Sequence, residues 1–351
     1  MDSRGSLLVF RFSAMGDVAM SASVLKEFSK QHPDLKIIIV SRALFKPFFE
    51  DIENLQFHNL EPDTKHKGLK GLYTLYQELK TYKPIAVADL HNNLRSNVLS
   101  FYFRFFKSLP TAKIDKGRSE KKALTRKENK VLKPLKSTPE RYADVFRKLG
   151  FKFKLSHQLK RNRKTVPISQ QHHFQSNNDL IIGISPFAKH KEKVYPLEKM
   201  ELVIQELSKI GYKIFIFGGG PEEAAVAETW EEQYKEVHSL IGKLTLSEEL
   251  QVISNLNLMV GMDSAGMHMA SLMGVSVISV WGATHPFAGF MGYGQLEEDC
   301  VQIDLYCRPC SVFGNKPCYR GDHACMHGID SGMIVERIIG KLNNDQRSFS
   351  Y

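Results

Sequence analysis

The sequence predicts an α/β protein made of two doubly wound parallel sheets, and three observations predict it. Near-continuous apolar runs such as "KIIIVS" (36–41), "LIIGIS" (180–185) and "VSVISVWG" (275–282) suit strands covered on both faces. Stretches of helical periodicity alternate with these runs, the pattern of a sheet flanked by helices. The alternation lapses through a polar interval near 155–178 and then restarts, as at a boundary between domains, and 351 residues suffice for two cores.

Taken in order, residues 7–12 read as a strand and 17–31 as a helix, and 36–41 is the next strand after the His32-Pro33 stop. "IAVADL" (85–90) is an inner strand between helical stretches, and 139–149 is a helix. The chain divides into residues 1–165 and 166–351. Strands in the second part are expected at 180–185, 212–220, 256–262 and 275–282. Beyond Trp281 come glycine-, proline- and cysteine-rich loops, then a last amphipathic helix over about 331–342, with packing back onto the first domain left open.

The formal charge of +10 is concentrated in 113–136, which holds ten Lys/Arg against three Asp/Glu. That segment reads either as a solvated, mobile loop or as a landing surface for phosphorylated or anionic-lipid partners. No run of about eighteen apolar residues and no amino-terminal signal pattern is present, so a cytoplasmic address is expected. All five cysteines fall between Cys300 and Cys325. Cys307, Cys310, Cys318 and Cys325 could form a four-thiolate zinc site, although only the first pair has the usual spacing; buried or loop thiols are the alternative, and no metal is the expectation.

Doubly wound sheets bind ligands at the carboxyl ends of their strands, so four strand-end loops draw attention. In "RFSAMGD" a tight loop leads into a helix; Asp17 either serves the helix start or faces a ligand, and Gly16 permits positive φ. In "VGMDSAGMH" the small residues Ala265 and Gly266, after Asp263 and Ser264, leave helix amides open to a diphosphate, and His268 is either a buried histidine or part of the site. "FGGGPEE" offers Glu222 or Glu223 to a ribose diol. "SPFAKHKEKVYP", starting at Ser185, supplies lysines, one of which could neutralise a leaving phosphate. No Asp-x-Asp occurs to hold a metal on a nucleotide diphosphate, leaving that task to lysine and helix amides.

These segments, with "DLHNNLRS" (89–96), the Lys-x-Tyr-Pro of 193–196, "DSAGMHMASLMGVSVISVWGATHP" (263–286) and the late "RPC…CM" loop, resemble glycosyltransferase family 9, the lipopolysaccharide heptosyltransferase family, over nearly the whole chain. The resemblance implies a GT-B architecture, two Rossmann-like domains facing a central cleft. It implies inverting transfer from an ADP-heptose-like donor to a lipid A-linked core acceptor, with no cofactor, at the inner face of the cytoplasmic membrane. Asp17 becomes the general base and Lys193 a diphosphate contact. Ser185, Glu222, Glu223, Asp263, Ser264, Ala265, Gly266 and His268 fall on the donor side, and Arg11, Ser13, Gly16, Asn92 and Arg95 on the acceptor side. Two departures stand out: Ser-Ala follows Asp263 where Thr-Gly is more usual, and "DLHNNLRS", with Asn92 and Asn93, replaces a more familiar Gln-Gly in that strand-end loop.

"FYFRFFK" (101–107) and the basic segment could also rest on an anionic membrane, or the aromatics could belong to a half-buried helix. Two other readings remain: a sugar-nucleotide epimerase of the same fold, and a nucleic-acid-binding protein driven by 113–136. The latter lacks an aromatic stacking motif, and no nucleic-acid partner is expected.

Overall fold

A computed structural model describes residues 5–176 and 180–348, which form two compact units. Among these described residues the first comprises 5–116 and 137–157; the second comprises 117–136, 158–176 and 180–348. In the first unit the chain runs β1 (Ser6–Phe10), α1 (Met15–Gln31), β2 (Lys36–Ser41), β3 (Leu55–Asn59), α2 (Gly68–Lys80), β4 (Pro84–Asp89), α3 (Leu94–Lys107) and β5 (Thr111–Lys113). After α4 (Arg118–Leu124), which belongs to the second unit, α5 (Thr138–Lys148) returns to the first. The sheet order is β3-β2-β1-β4-β5 with every pair parallel, so the order reverses between β1 and β4.

The second unit continues with β6 (Ile181–Ser185), α6 (Leu197–Ile210), β7 (Lys213–Ile216), α7 (Pro221–Gln233), β8 (Val237–Ser239), α8 (Leu246–Ile253), β9 (Leu258–Met262), α9 (Ala265–Leu272), β10 (Val277–Val280), β11 (Cys300–Val301), α10 (Ala324–His327) and α11 (Ser331–Ser348). Its order is β11-β10-β9-β6-β7-β8, again all parallel, with the reversal between β6 and β9. Two doubly wound parallel sheets of the GT-B type are therefore present.

Apolar strands and single helix faces make each core. Leu8, Phe10, Ile38, Val40 and Val87 of the first sheet pack with Leu72, Leu75, Leu99 and Phe103 from α2 and α3. In the second unit Ile182, Ile184, Val260 and Ile278 meet Val203, Ile204 and Leu207 of α6. The stripe Ile334, Ile338 and Leu342 puts α11 in this second core, against α6, β10 and β11. Burying such a side chain contributes roughly 1.5–3 kcal/mol, which fixes the strand ends that carry the loops described below. Side-chain caps set several helix starts: Asn93 and Ser96 cap α3 reciprocally, Ser137 caps α5, and Thr245 with Glu248 caps α8.

The basic segment 113–136 is largely exposed but is anchored at several points. Lys130 donates to the carbonyls of Cys307, Arg308 and Pro309 at 2.8–3.0 Å, and the Lys121 ammonium lies 3.9 Å from the centre of the Phe290 ring. Lys127 sits 4.7 Å over the Tyr319 ring, and the Leu135 N–H donates to the Phe287 carbonyl. Lys121, Lys127 and Lys130 are thus engaged within the second unit, while Arg118, Lys122, Arg126, Lys133 and Lys136 are exposed. No helix among the described residues is long and apolar enough to cross a membrane.

Candidate active site

In the first unit β1 and β4 are paired with Phe10 opposite Asp89, so the loops after them share the point where strand order reverses. The helix after β1 starts at Met15, two residues earlier than expected. Gly16 is therefore ordinary helical backbone and not a positive-φ residue. Asp17 occupies the third helical position, while the N-cap, Ala14, makes no side-chain cap.

Two neighbours hold the Asp17 carboxylate. Arg11, itself buried, forms an ion pair with it and donates from Nη1 to the Leu90 carbonyl at 2.9 Å. The Tyr142 hydroxyl of α5 donates to Oδ1 at 3.5 Å. Burial pushes the Tyr142 pKa upward, so this hydroxyl remains a donor throughout the working range. The Asp17 side chain is still 34% exposed, which leaves room for a ligand hydroxyl.

The loop after β4 is organised by a carboxylate that sequence reasoning had not assigned. Asp89 Oδ1 accepts from the N–H groups of His91 and Asn92 at 2.9 and 2.7 Å, and its Oδ2 accepts from Ser96 Oγ at 2.7 Å. Asn92 adopts φ 48°, a left-handed conformation open chiefly to glycine and asparagine. Its Nδ2 donates to the Ile114 carbonyl at 2.9 Å and its Oδ1 accepts from Asn97 at 3.3 Å. Arg95 lies half-buried in the first turn of α3, and Ser13 in the loop before α1.

His91 also escaped sequence reasoning. The Phe12 N–H donates to its Nδ1 at 3.2 Å, which puts the neutral ring's proton on Nε2, and the ring stacks on Phe12 with centroids 5.1 Å apart. Burial, together with the Arg11 and Lys116 charges, lowers its pKa to about 3. Its position directly after an inner strand was the available signal; Tyr142, inside a periodic helix, offered none.

In the second unit Ser185 ends β6 opposite Gly261 of β9, so Ser185 and the Asp263–Gly266 turn share the other reversal point, while Glu222 and Glu223 follow β7. Lys193 Nζ lies 2.9 Å from the Asp263 carboxylate and donates to the Asp263 carbonyl at 2.6 Å. Lys189 and Lys191 are exposed, which singles out Lys193 among the loop lysines. Ser264 is the N-cap residue of α9, yet it caps nothing, and its Oγ is enclosed without a hydrogen-bond partner. Ala265 and Gly266 open the helix; a Cβ on Gly266 would lie 2.3 Å from Ser185 Oγ, so glycine is what lets α9 approach β6. His268 is buried in the same helix.

At the end of β7, Glu223 Oε2 accepts from the Gly219 N–H at 2.7 Å and so closes its own loop, whereas Glu222 is exposed. The cysteine loop packs close by: a Cβ on Gly314 would lie 2.5 Å from Lys193 Cγ. Cys307, Cys310, Cys318 and Cys325 line one cavity with Arg308, Glu192 and His323. Glu192 and His323 pair at 2.9 Å. Burial pushes the Cys325 thiol up to about 11. No group of three or more His, Cys, Asp or Glu side chains among the described residues is arranged to hold a metal ion.

With this geometry in place, comparison with known proteins identifies the family. The model of glycosyltransferase family 9 (heptosyltransferase) matches residues 72–317. The chain belongs to this family. The Campylobacter jejuni serotype O:2 lipooligosaccharide heptosyltransferase 2 is 24% identical over 340 residues, covering 94% of this chain and 96% of that one. A crystal structure of a family 9 glycosyltransferase from Veillonella parvula superposes with a TM-score of 0.77 at 18% identity, covering 98% of each chain. The Escherichia coli heptosyltransferase WaaC with ADP gives a TM-score of 0.66 at 17% identity, covering 96% of this chain and 99% of that one. This family 9 protein is thus a glycosyltransferase, and family membership rather than fold sets aside the epimerase reading.

Proposed function

We propose that the protein transfers a heptose, or a closely related sugar, from an ADP-sugar to the core oligosaccharide of a lipid A-linked acceptor, with inversion. The observation that carries this reading is the group at the β6 and β9 ends: a lysine held on Asp263, an unpartnered Ser264 hydroxyl and the free first-turn amides of α9. Such a group suits a diphosphate, because oriented amides and one fixed cation answer spread negative charge. ADP, the nucleotide held by the WaaC relative, is the favoured choice. Glu222 is the carboxylate free to take the ribose hydroxyls, since Glu223 is engaged with Gly219.

In the proposed reaction Asp17 accepts the proton of the acceptor hydroxyl as its oxygen bonds to the anomeric carbon, and the carbon–oxygen bond to the ADP diphosphate breaks on the opposite face. Arg11 and Tyr142 keep the carboxylate aimed. Negative charge builds on the departing diphosphate, so Lys193 and the α9 amides stabilise the transition state more than the bound donor. Arg95 serves the acceptor's acidic groups, while Arg11, buried against Asp17, acts on that side through the base, and the reaction needs no cofactor beyond its substrates. A lipid-borne acceptor puts the enzyme at the inner membrane face.

A panel of ADP, UDP, GDP and CDP tested by calorimetry checks the donor assignment. ADP should bind at least about tenfold more tightly than the others, since a tenfold preference needs only about 1.4 kcal/mol of base-specific contact. Equal affinity across the panel would refute the ADP assignment.

A further inference from the structure

We infer that the outer face of α2 and α3 in the first unit is a docking surface for an anionic lipid bilayer. On α3 the positions Ser96, Leu99 and Phe103 face the core, which turns Phe101 and Phe105 outward. These two rings are 56% and 67% exposed, with Phe106 at 52% and Tyr73 of α2 at 46%. They form one array rather than scattered residues: Phe101 and Phe105 stack at 5.4 Å, Phe105 meets Phe106 at 5.2 Å, and Tyr102 links Phe106 to Tyr73 at 5.9 and 6.0 Å. A contiguous apolar patch of this kind is costly in water unless something covers it.

Charge selects the occupant. Helix α3 contains Arg95, Arg104 and Lys107 and no carboxylate, and Lys70 lies on α2. The one acidic side chain of α2, Glu78, is occupied by Lys65, His58 and His66. Aromatic rings beside cations with no free carboxylate match an interface where rings sit at headgroup depth and cations meet anionic phosphates. A protein partner would not require a helix of one charge sign. The inference deepens the lipid-borne acceptor reading but stands on its own geometry.

Co-sedimentation with vesicles tests it, using phosphatidylcholine alone and phosphatidylcholine with about 30 mol% phosphatidylglycerol, without donor or acceptor. The wild-type protein should bind the anionic vesicles about tenfold better than the neutral ones, and added salt should weaken the binding. Phe101→Ser/Phe105→Ser should lose about tenfold in partition while keeping its melting temperature, because both rings are exposed. Should that variant misfold, Arg104→Glu/Lys107→Glu serves the same purpose, and Phe105→Trp should show blue-shifted emission on vesicle addition. The proposal is overturned if the wild type ignores anionic vesicles, if the variants bind as well as the wild type, or if the patch instead drives a protein dimer. Asp17→Asn should bind vesicles like the wild type, so failure of the catalytic reading is seen separately.

Discussion

Lys193 and Asp263 form a largely buried ion pair, Nζ to Oδ2 2.9 Å, with the two side chains 15% and 5% exposed. The same ammonium donates to the Asp263 carbonyl, so it ties the loop after β6 to the turn between β9 and α9. Removing the lysine strands a buried carboxylate, whereas removing both charges does not.

Lys193→Ala should therefore cost about 2–4 kcal/mol of stability in the second unit, with part of it regained in Lys193→Ala/Asp263→Asn. ADP affinity should fall in both variants, because the diphosphate contact is missing in each. Urea unfolding with calorimetry separates the effects. Equal ADP affinity in Lys193→Ala and the wild type would remove Lys193 from the donor site.

Asn92 is read as a backbone residue of the acceptor-side loop. Both Asn92→Gly and Asn92→Ala lose the bond to Ile114, but the φ of 48° predicts that Asn92→Ala is less stable than Asn92→Gly by about 1 kcal/mol, through left-handed strain. Asn92→Gly should also retain transfer. Urea midpoints in the reverse order would contradict this assignment.

His91 gives the first unit a pH-dependent component of defined sign. The folded ring resists protonation down to about 3, whereas an unfolded histidine titrates near 6.5. Between these values the unfolded chain holds one more proton, so this component of stability falls as pH is lowered, by up to about 1.4 kcal/mol per unit. In His91→Gln the component is absent, and the difference in unfolding free energy should move in the variant's favour from pH 6.5 toward pH 4. Parallel stability profiles would show that the ring is not held neutral.

The legible parts of this protein were those written in a strong local pattern. The run Lys36–Ser41 is a strand with the expected bounds, because "KIIIVS" is apolar, β-branched and flanked by stops. The short edge strand Thr111–Lys113 went unseen, since three mixed residues carry no periodicity. Strand-end loops were recognisable by their small residues and charges, and Lys193 with Asp263 and Ser264 gather as that pattern suggested. The early start of α1 was hidden because Ala14 caps with backbone alone. In the basic segment, the contacts of Lys121 and Lys130 were out of reach of a local reading, because their partners are a ring and carbonyls about 170 residues away.

The role of Asp17 is tested most directly by single-turnover transfer with Asp17→Asn, supplied with ADP-heptose and lipid A-linked core acceptor. Asparagine keeps the size of the side chain but cannot take the proton. The transfer rate should drop by about 10²–10⁴-fold while ADP-heptose affinity stays within a few-fold of the wild type. Turnover at the wild-type rate would contradict the assignment of this carboxylate as the base.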